Sequence, residues 1–259
     1  DFSIVDFTNA MQDIQNRQIS ILGDAETRYR EDPVRLLRAI RFAAKLQFDI
    51  APKTAAPIKA MASILEQVPS SRLFDEMIKL FHSGHAARVY TLLEQYGILD
   101  ILLPSTAEQL KQQPQTTHAL LTQAFADTDD RIQQGKTVSI AYLFAVLLWP
   151  SVCEQQKECR QADDLSEVQA LIQAGFQVID DQSCATTLPR RFSTAIQEIW
   201  HLQYRLERRR PRTIKRCLSS SRFRAAFDLL CLRAKIDTRL QPLVEWWEQA
   251  QTTEHTSTT

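Results

Sequence analysis

Residues 28–46 read Arg-Tyr-Arg-Glu-Asp-Pro-Val-Arg-Leu-Leu-Arg-Ala-Ile-Arg-Phe-Ala-Ala-Lys-Leu, and this stretch decides the fold class. Asp32-Pro33 is a helix-start signal: Asp suits the N-cap, and Pro suits the first helical position, where its missing N–H costs nothing. From there Leu36, Leu37, Ile40, Ala43 and Ala44 fall on one side of a helical wheel. Arg35, Arg38, Arg41 and Lys45 fall on the other. That spacing predicts an amphipathic helix.

The same period recurs downstream. A second helix is expected after Pro69, with Ser70 or Ser71 as cap and Leu73, Met77, Leu80 and Phe81 on one face. Its charges can pair at four-residue spacing, Arg72 with Glu76 and Asp75 with Lys79. A third helix runs through Val89, Leu92, Leu93 and Tyr96, and Gly97 supplies its stop. Val138 to Trp149 is apolar except for Ser139. It is too short to cross a bilayer and reads as a buried central helix. Further helices are expected at 191–209, 221–236 and 240–250. The Gln-rich stretches 108–117 and 153–164 read as connections or exposed helix faces. Residues 1–22 lack helical period and suit short strands or a hinge closed by Gly23-Asp24. Thr252 to Thr259 has no core-forming pattern and is expected to be disordered. Five glycines in 259 residues and 44% hydrophobic residues agree with an all-α fold preceded by a short irregular or β-like segment.

Net charge is zero, but its placement is uneven. Residues 190–235 hold thirteen Lys/Arg against three Asp/Glu, leaving eighteen basic and twenty-eight acidic residues elsewhere. Such asymmetry points to an anionic partner. Arg190, Arg191, Arg205, Arg208, Arg209, Arg210, Arg212, Lys215 and Arg216 are interleaved with Phe192, Trp200 and Tyr204. Arginines neutralise phosphates and aromatics stack on bases, so RNA contact is the reading for the arginine cluster. Trp200, Tyr204 and the Trp246-Trp247 pair read as core.

The five cysteines show no CxxC pairing, and their odd number fits reduced thiols in a cytoplasmic protein. No signal peptide is visible, and the chain begins at Asp1 rather than Met, so an upstream segment is expected. His82 and His85 are read as lying three apart on a helix with no third ligand nearby, and no metal site is expected in this chain. Asp127-Thr128-Asp129 forms an acid pair in a polar helical stretch and reads as solvated acids. At Glu31-Asp32 two carboxylates stand beside Arg35, one helical turn on. Such a donor–acceptor fork can read a base edge, or Asp32 can simply cap the helix with Arg35 a solvated charge.

The string RYREDPVRLLRAIRFAAKL resembles the EDxxR region of the tRNA nucleotidyltransferase/poly(A) polymerase family, in the form of the bacterial poly(A) polymerase branch. The resemblance covers nearly the whole chain. Asp6–Asp13 (DFTNAMQD) is similar to the family's hinge motif, with Asn9 and Ala10 in place of two glycines. Val68–Phe81 resembles the helix that braces the nucleotide-binding helix, and Leu92–Pro104 resembles the segment ending in Leu-Leu-Pro. Residues 188–206, 223–234 and 243–247 look like the body of the poly(A) polymerase branch. The resemblance implies a head remnant or hinge over 1–30, a neck over 31–104, an RNA-binding body over 105–250 and a tail over 251–259. It implies that Asp32 and Arg35 contact the base of ATP beside Glu31 and Arg38, with Arg72 and Glu76 in support.

The family's Gly-Gly-x-x-x-Arg-Asp element and metal-holding DxD pair find no counterpart here. Mg²⁺ is therefore expected to act through an absent head domain, with ATP and an RNA 3′ end as partners and no membrane. The chain alone is expected to be inactive in AMP transfer, which labelled ATP and an oligo(A) primer would test. Two alternatives are a CCA-adding tRNA nucleotidyltransferase, which shares the neck, and a non-catalytic RNA-binding paralogue.

Overall fold

The computed structural model describes residues 5–257, with side chains left undescribed at Asp163, Pro211, Arg212 and from residue 253 onward. Two compact units are interleaved along the chain. One holds the chain up to Pro104 together with Phe125–Lys136 and Cys184–Thr187; the other holds Ser105–Ala124, Thr137–Ser183 and the chain from Leu188.

In the first unit the order is α1 (Ala10–Asn16), β1 (Gln18–Ile19), α2 (Ala25–Glu31), α3 (Val34–Leu46), β2 (Asp49–Ile50), α4 (Pro52–Met61), α5 (Ser70–Phe81), α6 (Ala86–Gln95) and α7 (Leu99–Leu102). The strands are two residues each and pair in parallel, Gln18 with Asp49 and Ile19 with Ile50. The fold class expected from the sequence is therefore the one observed, including a short β element near the start.

The N-terminal segment is more helical than its sequence suggests. Asp6 accepts from the Thr8 N–H at 2.9 Å and the Met11 N–H at 2.8 Å, capping α1. These bonds, Met11's foremost, draw its carboxyl down to about 2, so the cap is lost only as pH falls through that value. Asn9 takes the left-handed conformation, φ 59°. Asn is among the few residues that tolerate this region.

The predicted face of α3 is buried: Leu36, Leu37 and Ile40 are fully inaccessible, with Ala43 and Ala44 nearly so. Leu73, Met77, Leu80 and Phe81 of α5 share that core. Phe81 and Tyr90 each stack on Phe125, at 4.9 and 5.1 Å between ring centroids. Three local expectations are corrected. Ser70 does not cap α5; its hydroxyl meets Thr187 Oγ1 at 2.5 Å. Glu76 pairs with Lys79 at 2.8 Å and Arg41 at 3.5 Å, not with Arg72, because it is buried and turned inward. His82 and His85 do not share a helix: they flank the turn between α5 and α6, where Gly84 has φ 75°.

Helices of the second unit begin with α8 (Pro104–Gln112) and α9 (Pro114–Gln133), the latter ending within the first unit. Then come α10 (Ile140–Leu147), α11 (Trp149–Asp163), α12 (Glu167–Ala185), α13 (Arg190–Arg208), α14 (Pro211–Leu218), α15 (Phe223–Ile236) and α16 (Gln241–Ser257). The Gln-rich stretches thus lie mostly within α8, α9 and α11, and the backbone of α16 stays helical past residue 250. As expected, α10 is the buried centre, packed on α13 and α15. Trp200 is 1% exposed and donates its indole N–H to the Ala145 carbonyl at 2.9 Å. Gly175 lies so close to this ring that a Cβ there would sit 3.3 Å from Trp200 Cε3. Trp247 is buried and donates to Leu206 O at 3.0 Å. All five cysteines are free thiols.

The Asp127–Asp129 pair has a structural use. Asp129 accepts from the backbone N–H groups of Ala86 at 2.6 Å and Ala87 at 3.0 Å. It thereby caps α6, whose own N-cap residue His85 provides no side-chain bond. A carboxylate here satisfies two orphan donors and complements the helix dipole. Asp129→Ala should cost about 1–2 kcal/mol, seen as a lower thermal midpoint, while Glu66→Ala, at an exposed position, should leave that midpoint nearly unchanged. Equal midpoints for both variants would remove the capping role.

Candidate functional site

The candidate nucleotide site lies at the junction of α2 and α3. Asp24 starts α2 by accepting from the Thr27 N–H at 2.9 Å. The helix ends at Asp32, whose backbone is extended (φ −148°, ψ 95°). Pro33 already has helical dihedrals, and the Asp32 carbonyl accepts from the Arg35 N–H at 3.0 Å. Asp32 is thus the turning point between two helices, as the Asp-Pro pair predicts. Its side chain, however, makes no capping bond to α3.

That carboxylate is held instead by two arginines. Arg72 Nη2 on α5 reaches Asp32 Oδ1 at 3.0 Å, and Arg38 Nη1 on α3 lies 3.6 Å from Oδ2. The Asp32 side chain is 20% exposed, against 45% for Arg72 and 42% for Arg38. Asp32 and Arg35 do not pair with one another. Arg35 donates to Glu31 Oε2 at 2.8 Å and to the Arg28 carbonyl at 2.7 Å. Arg28 also pairs with Glu31. The Arg35 hydrogen bond, more than the Arg28 charge, holds the Glu31 carboxyl below its usual range.

Four guanidiniums therefore surround two carboxylates, a local excess of positive charge suited to an anionic ligand. Both members of the predicted fork are fixed by neighbours before any ligand arrives, so little side-chain entropy remains to be lost on binding. Arg72 sits next to Asp32 itself, whereas Glu76 lies one turn deeper, under Arg41 and Lys79. The sequence pointed to Arg72 as a supporting residue but paired it wrongly. A contact across forty residues leaves no local signal.

The basic residues of the second unit separate into two groups. Arg190 and Arg191 open α13; Arg205 and Arg208 lie near its other end, fourteen or more residues along, or ~22 Å from Arg190 to Arg205 at 1.5 Å per residue. Arg209, Arg210, Lys215 and Arg216 continue the second group through the connection into α14. The Arg212 side chain lies outside the described residues. All the others are exposed. Arg208 is already engaged: it pairs with Glu167 and covers the Tyr204 ring at 4.5 Å. Arg209 lies 5.8 Å from the Trp246 ring and Arg191 4.7 Å from Phe192. Arg205, Arg210, Lys215 and Arg216 form no ion pair among the described residues.

Comparison with known proteins fits both units. The family model described as "Probable RNA and SrmB- binding site of polymerase A" matches residues 47–110. That described as "Polymerase A arginine-rich C-terminus" matches residues 163–259. Poly(A) polymerase I of Salmonella typhimurium is 37% identical over 97% of this chain and 55% of its own length. The CCA-adding enzyme of Geobacillus stearothermophilus is 38% identical, but over only 42% of this chain and 27% of its own. The crystal structure of the Bacillus stearothermophilus CCA-adding enzyme in complex with CTP shares the fold, with a TM-score of 0.58 at 22% identity. It aligns with 96% of this chain and 54% of its own. The chain spans about half the length of the poly(A) polymerase it matches. With the poly(A) polymerase match running through the arginine-rich body while the CCA-adding match covers less than half the chain, this chain belongs to the bacterial poly(A) polymerase family.

Proposed function

We propose that this chain supplies ATP recognition and RNA binding to a polynucleotide adenylyltransferase that adds AMP to RNA 3′ ends without a template. The observation that carries the reading is Asp32. Its carboxylate is spared from helix capping and fixed by Arg72 and Arg38, as a group reserved for a ligand would be. A carboxylate accepts from the exocyclic amine of adenine, while Arg35 donates to a ring nitrogen. In the reaction the RNA 3′-hydroxyl attacks the α-phosphate in line and pyrophosphate leaves. This chain's residues bind and orient; among those described, no group of three or more His, Cys, Asp or Glu is placed to hold a metal ion. No helix among the described residues is long and apolar enough to cross a membrane.

The choice of poly(A) over CCA addition rests on the extent of the match: the poly(A) polymerase relative aligns with 97% of this chain and the CCA-adding relative with 42%. Full-length protein given an oligo(A) primer and all four nucleotides should extend it with a run of A. It should leave a tRNA lacking its terminal CCA without that trinucleotide. Restoration of CCA would place the protein with the tRNA enzymes, and binding of primer without extension would make it a non-catalytic RNA binder.

A further inference from the structure

The second unit contains an acidic cleft that the nucleotide and RNA readings do not use. It is lined by α8, α11 and α12 and has a volume of about 300 Å³. Ser151, Glu154, Gln155 and Glu158 follow one face of α11, while Glu108 and Gln109 come from α8 and Asp181 from α12. Among the described residues no Lys or Arg lines it. Glu154 is offset by Lys157 at 2.7 Å and Gln113 at 3.1 Å, and Glu108 accepts from Gln112 at 3.0 Å. Glu158 and Asp181 have neither hydrogen bond nor ion pair among the described residues. Like charges four apart on a helix, as at Glu154 and Glu158, oppose folding unless something neutralises them.

A second observation is independent of the carboxylates. Gln109 and Ser151 are 7% and 5% exposed, and both line the cleft. Gln109 Oε1 and Ser151 Oγ are buried without any hydrogen-bond partner. An unsatisfied buried acceptor costs about 1–3 kcal/mol. Two such atoms in one acidic cleft call for a ligand rich in N–H donors.

From this we infer that the cleft binds a linear aliphatic polyamine. Carboxylates spread over three helices, with no three groups placed to hold a metal ion among the described residues, suit charges distributed along a chain rather than one compact cation. Ammonium groups would donate to Glu158, Asp181, Gln109 Oε1 and Ser151 Oγ, while Val178 offers apolar surface to the intervening methylenes. A polycation bound here would also relieve the repulsion between Glu154 and Glu158.

The test is calorimetric titration of the chain with spermidine at ~0.15 M salt, where diffuse attraction is screened. One saturable site per chain, indifferent to millimolar Mg²⁺, is the expected result. Glu158→Gln with Asp181→Asn should weaken binding about tenfold or more, and Ser151→Ala about two- to tenfold. Glu66→Gln with Asp75→Asn removes the same charge from exposed positions of the other unit and should change nothing. Should Ser151→Ala fail to fold, the exposed Glu158/Asp181 pair still decides the matter. The inference falls if no saturable site is seen, if the control pair weakens binding equally, or if Mg²⁺ competes one for one. Tighter binding of tetralysine than of spermidine would overturn it too, identifying the occupant as a partner protein's side chain.

Discussion

In the full-length protein, Asp32→Ala should lower kcat/KM for ATP about ten- to a hundredfold and narrow the preference for ATP over GTP and UTP, with thermal stability little changed. The first half follows from the hydrogen bond to a charged group, worth about 1.5–3 kcal/mol. The second half follows from geometry. Were Asp32 a side-chain cap, its removal would cost about 1 kcal/mol of stability, but α3 receives no side-chain cap from it. What Asp32→Ala leaves behind is two guanidiniums more than two-fifths exposed, which water can solvate. Stability and specificity therefore separate in this variant. Arg35→Ala is the cross-check. Arg35 anchors to Glu31 and to the Arg28 carbonyl, both within or beside α2, and takes no part in starting α3 with its side chain. Full discrimination among the four nucleotides after Arg35→Ala would refute the base-reading role. An unchanged preference in Asp32→Ala accompanied by a lower midpoint would return Asp32 to simple capping.

What was legible in the sequence, and what was not, divides along one physical line. Apolar period is a local signal repeated many times, so the buried faces of α3 and α5 and the burial of α10 could be read directly. Pairing of charges is not repeated, and on a helix surface the four-residue neighbour is only the default. Arg72 abandons Glu76 for Asp32 forty positions away, and Glu76, once buried, draws Arg41 and Lys79. Asp129 looked like a solvated acid because α6, the helix it caps, starts more than forty residues earlier. Helices α2 and α14 went unread because they are seven and eight residues long, too short for a period to accumulate, but the nineteen-residue α12 went unread as well. In the candidate site the residue types were legible from the Glu-Asp-Pro-x-Arg string. The arrangement that frees Asp32 was not, since it depends on α5 arriving at the same place.

Single-stranded RNA should bind the basic end of α13 and α14 with a log K against log salt slope of roughly −2 to −3, each phosphate contact adding about −0.7. The sequence alone presents nine equivalent basic residues, but the structure makes them unequal. Arg208 is already held by Glu167 rather than offered to a phosphate, so Arg208→Ala removes no phosphate contact and should barely alter the slope, although the exposed Glu167 charge lowers affinity overall. Arg210, Lys215 and Arg216 are exposed and form no ion pair among the described residues. Replacing these three together by Ala should take away about 2 units of slope and lower affinity alike for oligo(A), oligo(U) and mixed sequences. Sequence indifference is part of the prediction, because phosphate contacts carry no base information. Arg190→Ala with Arg191→Ala measures whether the strand extends along α13. At ~22 Å along the helix axis from Arg205, those two arginines can share one RNA strand only if it follows the helix. A slope change from this pair with long oligonucleotides but not with short ones would trace the path of the strand. An unchanged slope in the Arg210/Lys215/Arg216 variant would move RNA binding away from this surface altogether.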